Sequence, residues 1–175
     1  MNRRDRKAWR NARTLEDLGE LVIRWLNGEI KQTPGHMGPP CDETIPLIPA
    51  LTVINRGGFI TDGSQLAETL HGETWNTWVD GFATDATLAV LREAVAGTPL
   101  ILTACRRCAH ECDRAAHWHR CGWGDAVGFW SQRCPALIDE LDACWLVSIE
   151  DPEPGRNDLL WDTLARALTG KAAAA

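Results

Sequence analysis

The sequence predicts an α/β or α+β fold, in which helices pack on a small mixed sheet of about four strands and a cysteine- and histidine-rich zinc loop is attached. Four short stretches have the apolar, β-branched or aromatic composition of strands, at 58–62, 75–82, 99–103 and 145–149. Apolar residues recur at helical spacing between them. The 175 residues are 45% hydrophobic and 24% charged, which is typical of a globular domain large enough to bury a core.

Each predicted helix has an identifiable start or stop. Thr14 and Asp17 have the spacing of a capping-box-like start, and helical spacing then continues to about Asn27 or Glu29. Glycines end the second and third helices, and Asn157 is expected to cap the last one. The predicted helical spans are 14–27, 45–55, 86–96, 126–131, 135–143 and 158–168.

Charge divides the chain into an arm and a body. Residues 1–13 hold six basic residues and one acid, so they are predicted to form a basic N-terminal arm. Residues 14–170 are predicted to form a single α/β domain with the zinc loop inserted at about 104–134, and residues 171–175 a frayed tail. Outside the arm and residues 105–134, only 7 basic residues accompany 20 acidic ones. Such a body repels a phosphate backbone, so tight autonomous DNA binding is not expected.

The absence of long apolar runs excludes one class of protein. No run of eighteen apolar residues occurs, so a membrane span is not expected. The N-terminal sequence MNRRDRKAWR is not followed by an apolar segment of the kind that a secretory signal contains. A cytoplasmic protein is therefore predicted.

The stretch from Pro99 to Cys121 carries the strongest chemical signal in the chain. It opens as a strand and continues into four cysteines and three histidines. Cys105 and Cys108 form a C-x2-C turn, and His117 lies four residues before Cys121, which places both on one face if that segment is helical. Three thiolates and one imidazole suit tetrahedral zinc, so a structural zinc ion is predicted.

Spacing alone leaves the ligand set open. A second set would use Cys112 in place of His117, and the reserve candidates are His119 and the more distant Cys134. Unliganded thiols in a reducing cytosol, or a C-x2-C redox pair, are the competing interpretations. Seven cysteines is an odd number for a disulfide framework. A catalytic zinc is disfavoured because no known hydrolase motif surrounds the cluster.

Arginine and tryptophan are concentrated in the same stretch. These residue types dominate the hot spots of protein interfaces, so the zinc loop is predicted to present them to a partner. The candidate partner-binding residues are Arg106, Arg107, Trp118, Arg120 and Trp123. A tryptophan-rich core would leave the same trace, since the chain has nine tryptophans.

A second polar cluster follows the fourth predicted strand. Its candidate catalytic or anion-binding residues are Asp151, Glu153, Arg156 and Asp158. The favoured interpretation is helix capping in a solvated loop, because Asn157 and Asp158 already serve the start of the last helix. An enzyme would in addition need an acid with a raised pKa inside a pocket.

Three segments resemble an uncharacterised actinobacterial and actinophage domain family. They are WRNARTLEDLGELVIRWLNGEI at 9–30, NRGGFITDGSQ at 55–65 and SIEDPEPGRNDLLWDTL at 148–164. Within this family, the sequence is most similar to the recombination directionality factors of temperate Streptomyces phages. The family has no motif that fixes a contact residue, so no site residue is carried over from it.

The resemblance implies a phage protein that binds a large serine integrase in the bacterial host and switches it from integration to excision. Such factors act through protein contacts, reach DNA only through the integrase and are not enzymes. Two alternatives remain open from the residues themselves. One is a small zinc-stabilised α/β enzyme acting on a nucleotide or related small molecule. The other is a zinc-stabilised DNA-binding accessory protein that uses the N-terminal arginines.

Overall fold

The computed structural model describes residues 1–70, 73–106 and 130–172, and within these ranges the fold is α+β. The strands are β1 (Phe59–Gln65), β2 (Thr69–Leu70), β3 (Glu73–Thr74), β4 (Trp78–Ala83), β5 (Ile101–Cys105) and β6 (Trp145–Glu150). Four of them form an open sheet in the order β1-β4-β6-β5, while β2 and β3 pair only with each other. The four predicted strands are therefore confirmed as the strands of the main sheet.

The main sheet is antiparallel throughout, so the prediction of a mixed sheet is wrong. β1 pairs antiparallel with β4, and β6 pairs antiparallel with both β4 and β5. β4 and β5 consequently run parallel to each other, but they do not touch because β6 lies between them. The helix that follows β4 carries the chain to the far edge of the sheet, and the later strand then fills the gap.

Apart from α1, which the sequence did not predict, the helices largely follow the predicted boundaries. They are α1 (Arg3–Asn11), α2 (Leu15–Leu26), α3 (Ile48–Arg56), α4 (Asp85–Val95), α5 (Ile138–Ala143) and α6 (Asp158–Ala172). The capping box of α2 is present, since Asp17 N donates to Thr14 Oγ1 over 3.1 Å and Thr14 N donates to Asp17 Oδ2 over 3.1 Å. The predicted helix at 126–131 lies mostly outside the described residues. Residues 130–133 are described, and they are helical. None of the described helices is long and apolar enough to cross a membrane.

Most of the predicted basic N-terminal arm, residues 1–13, is helical and packs on the folded domain. Residues 3–11 form α1, and Trp9 at its core-facing side is completely buried. The Trp9 Nε1–H donates to the backbone oxygen of Gln32 over 3.0 Å, and the buried Asp5 accepts from Lys31 N over 3.1 Å. The sequence does not indicate this packing, because Trp9 and Asp5 supply most of the anchoring and the residues around them are largely basic.

The two faces of the sheet have different neighbours. Residues paired directly across antiparallel strands share a face, so Val79 lies on the same face as Ile149. Trp145 lies on this face too and bonds to the first turn of α4. Phe82 lies on the opposite face, where it contacts the buried Trp130. This second face also carries the polar residues described next.

Candidate functional site

Two carboxyl groups come together on the Trp130 side of the sheet. Asp80 of β4 pairs directly with Ser148 of β6 on one side and with Gly63 of β1 on the other. The register of β1 shifts just before Gly63, so Asp62 lies in a β-bulge next to Asp80. The two acids are close enough for the charge of Asp62 to raise the pKa of Asp80.

Asp62 is held by a buried indole. The Trp130 Nε1–H donates to Asp62 Oδ1 over 2.6 Å. Trp130 is itself fixed edge-on against Trp9 and Phe82, with ring centroids 5.6 and 5.7 Å away. Burial raises the pKa of Asp62, and the hydrogen bond from Trp130 opposes this shift. The indole thus orients the carboxylate without supplying a full positive charge.

Asp80 is the most perturbed acid of the described chain. Burial raises its pKa to about 7, the hydrogen bond with Ser148 opposes the shift, and the charges of Asp62 and Glu150 reinforce it. Its Oδ1 is buried and has no hydrogen-bond partner among the described residues. A carboxyl that is half protonated near neutral pH can both take up and release a proton. Such a group is a recognised mark of a functional site.

Neither acid stands out in the sequence. Asp80 lies on the same face of β4 as Trp78 and Phe82, because side chains two apart in a strand point the same way. An acid on the face of two large apolar residues is the one sign of Asp80 that the sequence offers. The signal is weak, because the loose alternation along 75–82 is also typical of a partly exposed strand. The position of Asp62 depends on the bulge, which no local pattern reveals.

Arg106 belongs to an ordered cluster where the predicted zinc loop leaves β5. Arg106 Nη2 and Trp145 Nε1 both donate to Asp85 Oδ1, over 2.6 and 2.7 Å. The Arg106 guanidinium carbon lies 4.6 Å from the centroid of the Trp145 ring, and that of Arg92 lies 5.7 Å away. The Trp145 hydrogen bond lowers the pKa of Asp85, and Arg106 adds to this effect. The cluster is a cation–π arrangement open to solvent, because 41% of the Arg106 side chain is exposed.

Most of the predicted zinc loop lies outside the described residues. The predicted ligands and partner-binding residues there are Cys108, Cys112, His117, His119, Cys121, Arg107, Trp118, Arg120 and Trp123. Cys105 is described and half-buried, and Cys134 is completely buried in the core. The described part of the chain contains no group of three or more His, Cys, Asp or Glu side chains arranged to hold a metal ion. Structural zinc therefore stays a prediction, which one zinc per purified chain by mass spectrometry would support.

The acidic loop after β6 contains a buried ion pair. Arg156 Nε and Nη2 donate to the two oxygens of Asp151 over 2.6 and 2.7 Å, and its Nη1 donates to Glu153 Oε2 over 2.6 Å. Arg156 holds the pKa of Asp151 below its usual range. The Asp151 side chain is fully buried, so the expectation of a wholly solvated loop is wrong at this residue. Glu153 and Asp158 are exposed.

The described bonds of Asn157 differ from the predicted helix cap. Its Oδ1 accepts from Ala67 N over 2.6 Å, and its Nδ2 donates to Ala67 O over 3.1 Å. Asn157 thereby ties the start of α6 to the segment that follows β1. Together with the Asp151–Arg156 pair, it gives the loop a structural explanation.

Comparison with known protein families gives one match. The model of a domain of unknown function (DUF6919) matches residues 4–115. The chain belongs to the DUF6919 family. No curated protein matches the chain. The expected membership of an uncharacterised domain family is thus confirmed, whereas the closer likeness to directionality factors stays a prediction.

The DUF6919 match does not contain the whole sheet. It includes β1, β4 and β5, and with them Asp62, Asp80 and Arg106. β6 lies beyond the matched residues, yet it is the strand that joins β4 to β5. The partners Ser148 and Trp145 therefore come from outside the matched range.

Proposed function

We propose that this DUF6919 protein is a phage recombination directionality factor, which binds a large serine integrase in the bacterial cytoplasm and switches it from integration to excision. The general likeness of the chain to such factors supports this proposal, as do the three segments that resemble the wider domain family. In the fold they form α2, β1 with its bulge, and the acidic loop with the first half of α6. The likeness therefore falls on packed elements of the folded body.

The observation that carries the proposal is the arginine–tryptophan cluster at the end of β5. Arginine and tryptophan are the side chains that most often contribute large binding energies at protein interfaces. Asp85 holds Arg106 in place before any partner arrives, and the stacked Trp145 restricts it further. A pre-ordered side chain loses less conformational entropy on binding. These features support a protein-binding surface at this end of the sheet.

The switch requires only differential binding. An integrase on its DNA sites has alternative arrangements of its flexible parts, and a factor that contacts one arrangement better stabilises it by the difference in binding free energy. Reversing a preference from 1:99 to 99:1 takes about 5.5 kcal/mol. Three interface contacts of about 2 kcal/mol each, made with one arrangement only, supply that amount. The factor needs no chemistry of its own in this mechanism.

The test is a binding measurement with purified large serine integrase and no DNA. We expect a stable complex, and we expect Arg106→Ala to weaken it about 30-fold, the effect of a hot spot worth about 2 kcal/mol. Removing Arg106 leaves the fold in place because its partner Asp85 is largely solvent-exposed and keeps its bond to Trp145. Arg56→Ala, on the exposed end of α3, is the matched control.

Three outcomes are informative. Loss of binding with Arg106→Ala but not with Arg56→Ala supports the assigned surface. If Arg106→Ala and Arg56→Ala both bind the integrase as tightly as wild type does, the binding surface lies elsewhere on the protein. If wild-type protein forms no complex and does not promote excision between hybrid attachment sites, the proposed function is wrong.

A second candidate function is a small enzyme acting on a nucleotide or related small molecule. The observation that favours it is Asp80, whose pKa of about 7 suits a general acid or base. Asp151 was the expected acid in that reading, but Arg156 lowers its pKa instead of raising it. Asp80→Asn should abolish any turnover under this alternative. Under the first proposal, the same substitution leaves integrase binding unchanged.

A further inference from the structure

Helix α1 carries a basic stripe along its outer side. Its five exposed basic residues are Arg3, Arg4, Arg6, Lys7 and Arg10. Arg3, Lys7 and Arg10 follow the spacing i, i+4, i+7, which places them along one side of a helix. The opposite side holds Trp9 and Asp5, both buried. The stripe therefore points away from the core.

The stripe is held rigidly against the domain. Trp9 packs edge-on against Trp130 with ring centroids 5.6 Å apart and donates to Gln32 O over 3.0 Å. Asp5 accepts from Asn2 Nδ2 over 2.8 Å and from Lys31 N over 3.1 Å. A helix fixed at two successive turns presents its basic side chains from a backbone of fixed position. Binding a partner therefore does not require that backbone to be ordered first.

The charges of α1 are not neutralised within the described parts of the chain. The ion pairs found there are Arg24–Glu29, Arg106–Asp85, Arg156–Asp151 and Arg156–Glu153. None of them includes a residue of α1. Residues 14–175 carry a formal charge of −11, so the acids needed for pairing are plentiful elsewhere in the molecule. An unpaired basic stripe on an acidic protein is available to an external anion.

We propose that the outer side of α1 binds the phosphate backbone of duplex DNA. Guanidinium groups bind phosphate oxygens in a bidentate manner, and four of the five exposed bases are arginines. The stripe contains no large apolar residue, because Trp9 faces the core. A membrane-binding helix buries an apolar face in lipid, and a protein interface has an apolar centre. Neither description fits this surface.

The dimensions also suit a phosphate backbone. Arg3 and Arg10 are about 10 Å apart along the helix axis at 1.5 Å per residue. Three flexible basic side chains over that length can reach three phosphates of one strand, which recur about every 3.4 Å along the DNA axis. The acidic body does not prevent this contact, because charges more than about 8 Å away are largely screened at physiological ionic strength.

The inference departs from the resemblance, which implies DNA contact only through the integrase. It does not depend on the proposed function, because the test uses this protein without an integrase. The experiment is fluorescence anisotropy with a labelled 30-base-pair duplex at 50 and 200 mM salt. Five phosphate contacts give a slope of log affinity against log salt of about −4.5, or a loss of about 500-fold over this range. Arg3→Gln/Lys7→Gln/Arg10→Gln should reduce that loss to about 12-fold, because about two contacts remain.

The matched control is Arg56→Gln/Arg133→Gln/Arg166→Gln, which removes the same charge from exposed positions outside α1. Weaker binding and a smaller salt slope with the α1 variant alone support the proposal. Equal effects of the two triple variants would reduce it to an effect of net charge. No wild-type binding at 50 mM salt, or binding of polyglutamate as tight as that of DNA, would overturn it. Far-ultraviolet circular dichroism verifies that both variants stay folded.

Discussion

Asp80 is half-buried and Asp151 is fully buried, and the protein shifts the pKa values of these two acids in opposite directions. Asp80 pairs with Ser148 in β6, and Asp151 follows three residues later in the same chain segment. Burial raises the pKa of Asp80 to about 7. The hydrogen bonds from Arg156 hold the pKa of Asp151 below its usual 3.8. Depth does not explain the contrast, because Asp151, the more deeply buried side chain, has the lowered pKa; the partners of the two acids explain it.

A cationic partner decides the sign of the shift. Two guanidinium bonds stabilise the charge of Asp151 more than burial destabilises it, although none of its side chain is exposed. Asp80 has a serine hydroxyl and two neighbouring acids, and the described residues supply it with no cation. An acid paired with arginine fits a structural role. The pKa of an acid whose only partner is a hydroxyl can still be changed by a group that approaches it.

The comparison predicts separate pH windows for the two acids. The pKa of Asp151 is lowered on folding, so its contribution to stability is present above about pH 4 and is lost as the pH falls through its folded pKa. The pKa of Asp80 is raised from 3.8 to about 7, so the folded protein holds this proton more tightly than the unfolded chain. Stability therefore declines as the pH rises from about 4 to about 7.

Asp80→Asn should give the largest change. The amide carries no charge at any pH, so the variant lacks the destabilising ionisation of Asp80. A pKa rise from 3.8 to about 7 corresponds to about 4 kcal/mol. Between pH 4 and pH 8, the free energy of unfolding of wild type should therefore fall by about that amount relative to the free energy of unfolding of the variant. Urea denaturation at both pH values measures it.

Asp139→Asn is the control for this prediction, because Asp139 is exposed on α5. Its stability should follow that of wild type at both pH values. Parallel curves for Asp80→Asn and wild type would show that Asp80 ionises as readily in the folded as in the unfolded protein. The contrast with Asp151 would then disappear.

Asp151→Ala should destabilise the protein by about 2–3 kcal/mol at pH 7. Breaking a fully buried ion pair costs about 3–5 kcal/mol. The expected cost lies at or below the bottom of this range because the Arg156 side chain is 32% exposed and can turn into water. Urea denaturation should show the difference from wild type shrinking below about pH 4. Glu153→Ala, which removes a carboxylate that is 64% exposed, should change stability by less than about 1 kcal/mol.

Trp130→Phe should destabilise the protein by about 2 kcal/mol. It removes the hydrogen bond to Asp62 Oδ1 and part of the packing against Trp9. The pKa of Asp62 should rise, since that bond is what opposes the effect of burial. Carboxyl carbon NMR titration follows the pKa, and urea denaturation follows stability. Trp75→Phe, at a side chain 50% exposed, should leave both unchanged.

Sequence patterns predicted the elements well and their arrangement poorly. The cap at Thr14 is a local signal, and α2 begins where that residue places it, while α4 begins within one residue of the predicted 86. α1 was missed because its core contacts come from two residues within a run of exposed bases. The insertion of β6 between β4 and β5 follows from pairing between distant segments, which helical and strand periodicities do not encode.

The candidate site was missed for the same physical reason. Asp62 meets Trp130 across 68 residues of sequence, and Asp80 meets Ser148 across a comparable separation. No motif spacing connects such pairs. The acids that did attract attention lie close together in the chain, at Asp151 and Glu153, and folding joins them to Arg156 as a structural unit.

Ser148→Ala should have the smallest effect and test the comparison most directly. The hydroxyl is the one described group that lowers the pKa of Asp80, so its removal should raise that pKa above about 7. The loss of one buried hydrogen bond costs about 1 kcal/mol. Thr103→Val, at the position paired with Ser148 on β5, is the control and should leave the pKa of Asp80 unchanged. In an Asp80→Asn background, Ser148→Ala should no longer alter the pH dependence of stability, because the group that titrates is gone. A pH effect that persists in this double variant would assign it to another acid on the same face, with Asp62 the first to examine.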